Sequence, residues 1–303
     1  MTNIIKTSHK RWMGSVMGLV TGAVIACTPV SAFGYTIKSE PISLKGFTVR
    51  TEATTEFKVN GERFVQVMED ESHYRISKQP HGYSVLCETL SNRVLVDGVE
   101  QKDPFHELMG RSKLSYLLDN DGKAIAVTGL DEVYEAALKQ FGQEKMDGMG
   151  VTREDLVNEA LGIWGKTFGL YVGNNLEPES SYELSFNVDT PNGLSVPFKG
   201  YLIVRTIEKA FNRDALRMYI DTEIDEESFT STLKESMKAA GYEDVELDTK
   251  GSQGYGELLL DLTNGLAYEY KEGYEFGFKL RVDGETVTTE MKAETKMKVT
   301  GID

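Results

Sequence analysis

The side chains most able to do chemistry are three histidines, but their neighbours complete neither a catalytic nor a metal site. Once the N-terminal leader described below is set aside, the histidines are His73, His81 and His106. No carboxylate or cysteine follows at the spacing of two or four residues that metal sites favour. There is no Gly-x-Ser-x-Gly elbow, and Gly251-Ser252-Gln253-Gly254 precedes a strand pattern rather than a helix. The sequence therefore predicts no catalytic residue, no metal site and no cofactor.

Acidic runs could hold calcium or act as acid–base pairs, but each fits a simpler interpretation. Asp119-Asn120-Asp121-Gly122 is typical of a hairpin turn, because a calcium loop with glycine at its sixth position would need acids where Leu117 and Thr128 stand. Asp70-Glu71 and Asp225-Glu226-Glu227 are interpreted as solvated acids at a turn and at a helix start. A non-enzymatic protein is the expectation.

Two long alternating segments predict the elements that matter most. In residues 285–299, apolar or small side chains such as Met291 alternate with charged ones such as Lys292, and residues 47–59 repeat the pattern. Successive side chains on a strand point to opposite faces, so each segment is a ribbon with one charged side. A strand of this length, about 50 Å at roughly 3.3 Å per residue, belongs to a large curved antiparallel sheet.

The half-apolar side of these ribbons predicts a cavity lining. Its middle consists of threonine and alanine rather than leucine or phenylalanine, which leaves room above it. Aromatic side chains on the strands near 268–282 either complete a packed core or line a concave cavity for an apolar ligand. The candidate ligand-binding residues are Thr51, Ala53, Thr55, Tyr268, Tyr270, Phe276, Phe278, Met291, Ala293 and Thr295.

Residues 1–32 are typical of a signal peptide. Lys6, Lys10 and Arg11 precede an apolar segment that is too short to span a bilayer, and Val30-Ser31-Ala32 fits a cleavage site. Val24-Ile25-Ala26-Cys27 also resembles a lipobox, which would make Cys27 a lipidated N-terminus. Simple cleavage after Ala32 fits better. An exported protein of the periplasm, or one associated with the outer membrane, is predicted in either case.

Composition narrows the partners of the processed chain. Without the three basic residues of the leader, 30 lysines and arginines stand against 48 acidic residues. A net charge of this sign repels nucleic acid and anionic membrane surfaces. The charged sides of the two ribbons cannot face hydrocarbon, so the processed protein is not expected to span a membrane. Cys87 would be the only cysteine left, which excludes an intrachain disulfide, and its flanks predict a buried thiol.

The remaining patterns give the fold class. Short alternating segments at 63–69, 73–78, 82–89 and 93–99 predict a meander, and helices are predicted near 130–141, 152–168 and 227–240. The fold class is α+β, mainly antiparallel β, with a large curved sheet or half-barrel and about three helices on one face. Residues 33–303 are predicted to form a single curved-sheet domain, with two lobes meeting near 145–180 as the alternative.

Two hairpin segments carry a family resemblance. Residues 118–129, Leu-Asp-Asn-Asp-Gly-Lys-Ala-Ile-Ala-Val-Thr-Gly, and residues 256–266, Gly-Glu-Leu-Leu-Leu-Asp-Leu-Thr-Asn-Gly-Leu, are similar to those of an uncharacterised family of exported bacterial β-rich proteins. More distantly, the helix-on-curved-sheet plan resembles the LolA/LppX-type half-barrels that carry lipids or lipoproteins across the periplasm. The resemblance implies a compartment and a fold class, and it brings no catalytic residue.

These observations lead to a working hypothesis and a rival. The hypothesis is a non-enzymatic exported binding or carrier protein for an apolar, lipid-like ligand in the bacterial envelope. The rival is a structural or protein-interaction component of the envelope, whose sheet is fully packed and holds no ligand. An apolar small molecule or lipid is the partner in the first case, and an envelope protein in the second.

Overall fold

The two long alternating segments form neighbouring strands at the centre of one sheet. The computed structural model describes residues 35–36, 44–101, 110, 113–144, 146, 152–164, 175–189, 195–239, 245–282 and 285–303. The strands in this part of the chain are β1 Tyr35–Thr36, β2 Gly46–Val59, β3 Glu62–Gln79, β4 Gly82–Val96, β5 Val99–Gln101, β6 Lys113–Leu118, β7 Ala124–Thr128, β8 Asn175–Leu176, β9 Ser181–Asp189, β10 Ser195–Ala210, β11 Arg213–Ile224, β12 Val245–Asp261, β13 Ala267–Val282 and β14 Glu285–Ile302. The helices are α1 Leu130–Phe141, α2 Arg153–Trp164 and α3 Glu226–Ala239.

The main sheet is antiparallel and open. Its strand order is β7-β6-β4-β3-β2-β14-β13-β12-β11-β10-β9, with β5 beside β4, while β1 and β8 form a separate pair. The first and last long strands meet in its middle, where Val59 lies opposite Thr289 and Phe47 lies opposite Ile302. The predicted fold class, an α+β half-barrel with helices on a curved sheet, is confirmed. Strands from before and after residues 145–180 share this sheet, and the division into domains stays a prediction.

Alternation sorts the side chains of the sheet onto two faces. On β14, Met291, Met297 and Val299 are buried, whereas Lys292 and Lys298 are exposed. We call the face of the buried side chains the interior face and the other the outer face. Ion pairs cross the outer face between strands, including Lys58–Glu290 at 3.4 Å and Lys298–Glu269 at 3.3 Å. Exposed pairs of this kind contribute little stability, so the apolar interior face holds the sheet together.

Helices cover the two ends of the interior face. Trp164 of α2 lies 5.2 Å from Tyr116 and 6.4 Å from Tyr74, measured between ring centroids, and Tyr74 stacks on Phe47 at 4.7 Å. At the opposite end, Phe229 of α3 meets Phe278 at 5.8 Å. The rings at both ends are almost fully buried. The middle of the interior face lies between these two packed ends.

The predicted meander forms, since β2, β3, β4, β6 and β7 follow one another across the sheet, but its short segments merge into longer strands. The segments at 63–69 and 73–78 are one strand, β3, and those at 82–89 and 93–99 become β4 and β5. The supposed turn at Asp70-Glu71 is uninterrupted strand, paired with Thr51 and Arg50 of β2. The β-bulge beside it lies on β4, where Leu90 is the extra residue between the Glu71–Ser91 and Ser72–Thr89 pairs. The acids interpreted as belonging to a turn therefore lie in the middle of a strand.

Other local predictions hold. All three helices form within a few residues of their predicted bounds, and Thr152 caps α2 through a hydrogen bond from the Asp155 amide to its Oγ1 at 3.1 Å. Asp119-Asn120-Asp121-Gly122 joins β6 to β7, with the Asp119 carboxylate accepting two amide hydrogen bonds. Cys87 is buried, which raises the pKa of its thiol to about 11. The signal peptide at 1–32, Cys27 and His106 lie outside the described residues.

Candidate functional site

The middle of the interior face is more open than its ends. Strand register places twelve interior-facing residues of β3, β2, β14 and β13 in three adjacent rows, which we call the central strip. Its rows are Asp70–Thr51–Met297–Tyr270, Met68–Ala53–Thr295–Glu272 and Gln66–Thr55–Ala293–Tyr274. Thr51, Ala53, Met68 and Thr295 are partly exposed, whereas Phe47 at one end is 0% and Phe276 at the other is 3% exposed. The strip is a partly exposed floor between two packed ends.

Most of the candidate ligand-binding residues fall on or beside this strip. Thr51, Ala53, Thr55, Tyr270, Ala293 and Thr295 belong to it. Phe276, Phe278 and Met291 lie on the same face, in the buried end under α3. Tyr268 lies apart, at the start of β13 where the register with β12 shifts, and its hydroxyl donates to the buried Asp261 carboxylate. The strip therefore unites two distant parts of the chain, and Tyr268 stands apart from it.

Asp70 is an acid that the sequence reasoning assigned to solvent. It lies on the interior face of β3, opposite Thr51 on one side and Asn92 on the other. Burial raises the pKa of its carboxyl from 3.8 to about 6, against the opposing effect of the Ser72 hydroxyl that donates to it at 2.8 Å. A charged carboxylate that is largely removed from water without a basic partner destabilises a fold. Such a group marks a functional-site candidate.

Glu272 is a second acid of the strip, and it is only 7% exposed. It lies on β13, three strands from Asp70 and one row away. The Tyr270 and Tyr274 hydroxyls both donate to its Oε2, the latter at 2.7 Å. These three side chains follow one another at alternate positions of β13, so a single strand positions the carboxylate and both of its donors.

The sequence contains a pattern that places Asp70 and Glu272 on the interior face. From Glu62 to Gln79 there is no glycine, proline or asparagine to end a strand. The phase of the alternation then places Asp70 on the same side as Met68 and Tyr74. Glu272 could be found in the same way, since it continues the alternation of Tyr270 and Tyr274. For Asp70, its acidic character outweighed this pattern.

A groove of about 790 Å³ opens on the outer face, away from the central strip. It lies where Gly277 contributes no side chain and a bulge at Gly251 interrupts β12. Phe276 and Met291 border it, although their side chains point to the interior face. The lining residues are Glu56, Lys58, Lys250, Gly251, Ser252, Gln253, Glu275, Phe276, Gly277, Glu290, Met291 and Lys292. This groove is charged, unlike the apolar cavity that the sequence predicts.

Metal ligands and membrane-spanning helices are two further features that could assign a function to the described part of the chain. Across the described ranges, no three His, Cys, Asp or Glu side chains come together as a metal site would require. Within those ranges, none of the helices has the length and hydropathy needed to cross a bilayer. His73 bonds to Thr48 at 3.0 Å between Nδ1 and Oγ1, and His81 is exposed in the turn after β3. Neither histidine adjoins the strip.

Comparison with known proteins gives no family. No family model and no curated protein matches this sequence. Among solved structures, one described as "Lipid-protein interactions in lipovitellin" matches 85% of this chain at 7% identity and a TM-score of 0.43, and the chain spans a quarter of that protein's length. DynF from the dynemicin pathway of Micromonospora chersina matches 93% of this chain and 91% of its own, at 10% identity and a TM-score of 0.18.

A third match is a DUF1329 family protein from Desulfovibrio piger, over 84% of this chain and 86% of the other, at 9% identity and a TM-score of 0.14. All three TM-scores are below 0.5, so these matches show neither a common fold nor a common function. The resemblance to LolA/LppX-type half-barrels stays a prediction, and function is argued from the geometry of the strip.

Proposed function

We propose that this protein is a non-enzymatic, exported binding or carrier protein that holds an apolar, lipid-like ligand against the central strip. One observation carries the proposal: the floor of the interior face is partly exposed although both of its ends are closed by helices and aromatic rings. Ligand sites are concave and largely apolar with a few polar groups, and the strip has this composition. The signal-peptide pattern of residues 1–32 supports export to the envelope.

The small side chains of the strip are part of the argument. Thr51, Ala53 and Thr295 adjoin one another across β2 and β14, where larger residues could have filled the space between the ends. Interiors are normally packed as densely as organic crystals, so a run of small, half-exposed residues on a sheet's interior face favours an occupant. A fatty chain matches such a strip because it contacts apolar and small side chains without needing hydrogen bonds.

Filling the strip tests the proposal. Thr51→Trp adds a large side chain to the floor, whereas Thr54→Trp adds it to the same strand on the outer face. Binding of the neutral apolar fluorophore N-phenyl-1-naphthylamine is measured by titration. The wild type and Thr54→Trp are expected to bind it with similar affinity, and Thr51→Trp should bind at least about tenfold more weakly, a loss of about 1.4 kcal/mol. An equal loss in both variants, or no binding by the wild type, would contradict the proposal.

The second candidate is an envelope interaction protein, and the outer groove favours it. A groove of about 790 Å³ with charged walls could receive a protein segment without any ligand on the interior face. The two candidates differ in which face is used. Substitutions around Gly277 would impair a protein partner, and substitutions of the strip would impair a lipid-like ligand.

A further inference from the structure

The charges of the central strip are all of one sign. Asp70 and Glu272 are its ionisable acids, and its other members are Thr51, Ala53, Thr55, Gln66, Met68, Tyr270, Tyr274, Ala293, Thr295 and Met297, none of them basic. The two carboxyls lie about three strand spacings apart, roughly 14 Å across the floor. The basic side chains of β2 and β14 lie on the outer face, behind the backbone, where they pair with outer-face acids. The floor therefore presents a negative potential to whatever occupies it.

A buried hydroxyl without a partner lies beside the strip. Thr222 of β11 is 4% exposed, and its Oγ1 makes no hydrogen bond among the described residues. It leans from β11 over Gly254 of β12 towards the strip: a methyl group at Gly254 would come within 2.3 Å of Oγ1 and within 2.9 Å of the Tyr274 ring. The same Tyr274 donates its hydroxyl to Glu272. Buried polar groups are normally satisfied, so this corner has hydrogen-bonding capacity that the described residues leave unused.

We propose that the ligand held against the central strip carries a cationic, hydrogen-bond-donating group such as an ammonium on its apolar body. This inference rests on the proposed function and names the chemistry of the ligand. A cation beside either carboxylate would neutralise a charge that has no basic neighbour on the floor, and an N–H donor could bond to the Glu272 carboxylate or to Thr222 Oγ1. An anionic head of the same size would face two like charges instead.

The test compares three amphiphiles that share a twelve-carbon chain. Dodecylammonium, dodecanoate and 1-dodecanol, each below its micelle concentration at pH 7.5, compete with bound N-phenyl-1-naphthylamine. The wild type should release the fluorophore at a dodecylammonium concentration about tenfold or more below that of dodecanoate, with dodecanol between them. At least one of Glu272→Gln and Asp70→Asn should reduce this ratio to about threefold or less. Glu52→Gln removes the same charge from the outer face of β2 and should leave the ratio unchanged.

The outcomes separate the two proposals. If the fluorophore binds but dodecylammonium and dodecanoate compete equally in the wild type, the inference of a cationic ligand is wrong. The proposed carrier function is then retained. If the fluorophore does not bind, the proposed function itself fails. Should Glu272→Gln not fold, Asp70→Asn and Thr222→Val carry the test, because each leaves the Tyr270–Glu272–Tyr274 hydrogen bonds in place. An unchanged ratio in both of those variants would overturn the inference.

Discussion

At the scale of single residues, Asp70 is expected to lower the stability of the fold and to contribute to ligand binding. Its carboxyl is removed from water on the interior face of β3, next to Thr51 and Asn92, and a serine hydroxyl is the group that donates to it. An apolar residue in place of Asp70 would make the folded state more stable. Residues that weaken a fold are typical of binding sites, where stability is exchanged for recognition.

Asp70→Asn should stabilise the protein at neutral pH. The folded-state pKa of about 6 lies above the ordinary 3.8, so the folded state binds the proton more tightly and the ionised carboxylate destabilises it above pH 6. A shift of about two units corresponds to a gain of up to about 3 kcal/mol in the free energy of unfolding. The gain should shrink as the pH falls through 6 towards 4, where the wild-type carboxyl is protonated in the folded state.

Urea unfolding at several pH values between 4 and 8 measures this difference. Asp248→Asn makes the same chemical change at an exposed position on the outer face of β12 and should stay within about 0.5 kcal/mol of the wild type at every pH. A destabilising effect of Asp70→Asn at pH 7.5, or a gain independent of pH, would contradict the destabilising role of the ionised carboxylate.

At the scale of secondary-structure elements, the packing of the long central strands depends on side chains that lie over glycines of the neighbouring strand. Gly273 of β13 lies beneath Tyr255 of β12, whose ring crosses it on the outer face and whose hydroxyl donates to Glu294 of β14 at 2.6 Å. Lys296 and this hydroxyl hold the pKa of the Glu294 carboxyl at about 2. One tyrosine thereby connects three adjacent strands.

Gly273→Ala should destabilise the sheet by about 1–3 kcal/mol, because its methyl group would lie 2.4–2.6 Å from Tyr255 ring and hydroxyl atoms. Gly277→Ala on the same face of β13 is the matched control, since its closest neighbour, the Thr289 carbonyl oxygen, is 3.3 Å away. Thermal unfolding of both variants gives the comparison. Adding Tyr255→Ala to Gly273→Ala should recover part of the loss, and strictly additive effects would exclude this explanation.

Elements of this kind also show what sequence could and could not predict. The alternation around Met291 and the helical stripe beginning at Leu130 are local patterns, and both led to correct elements. Asp70-Glu71 was misread because two adjacent acids resemble a turn, although the chain around them contains no strand-ending residue. The pairing of β2 with β14 joins residues more than 200 positions apart, and no local pattern specifies it. The central strip exists only through that pairing, so its acids could not be assembled from sequence.

At the scale of the whole molecule, the two ends of the described chain meet to form the floor of the site. Strands β2 and β14 contribute the small residues, β3 and β13 contribute the acids, and the helices close both ends of the face. The whole sheet therefore has a single proposed task, which is to hold one amphipathic molecule away from water between two packed ends.

Native mass spectrometry of the protein purified gently from its own envelope decides whether such a molecule is present. We expect the wild type and Thr54→Trp to carry a non-covalent mass in the range of a lipid or amphiphile, and we expect Thr51→Trp to lack it. A wild-type protein that carries no such mass and instead copurifies with a stable protein partner would contradict this account and favour the interaction protein.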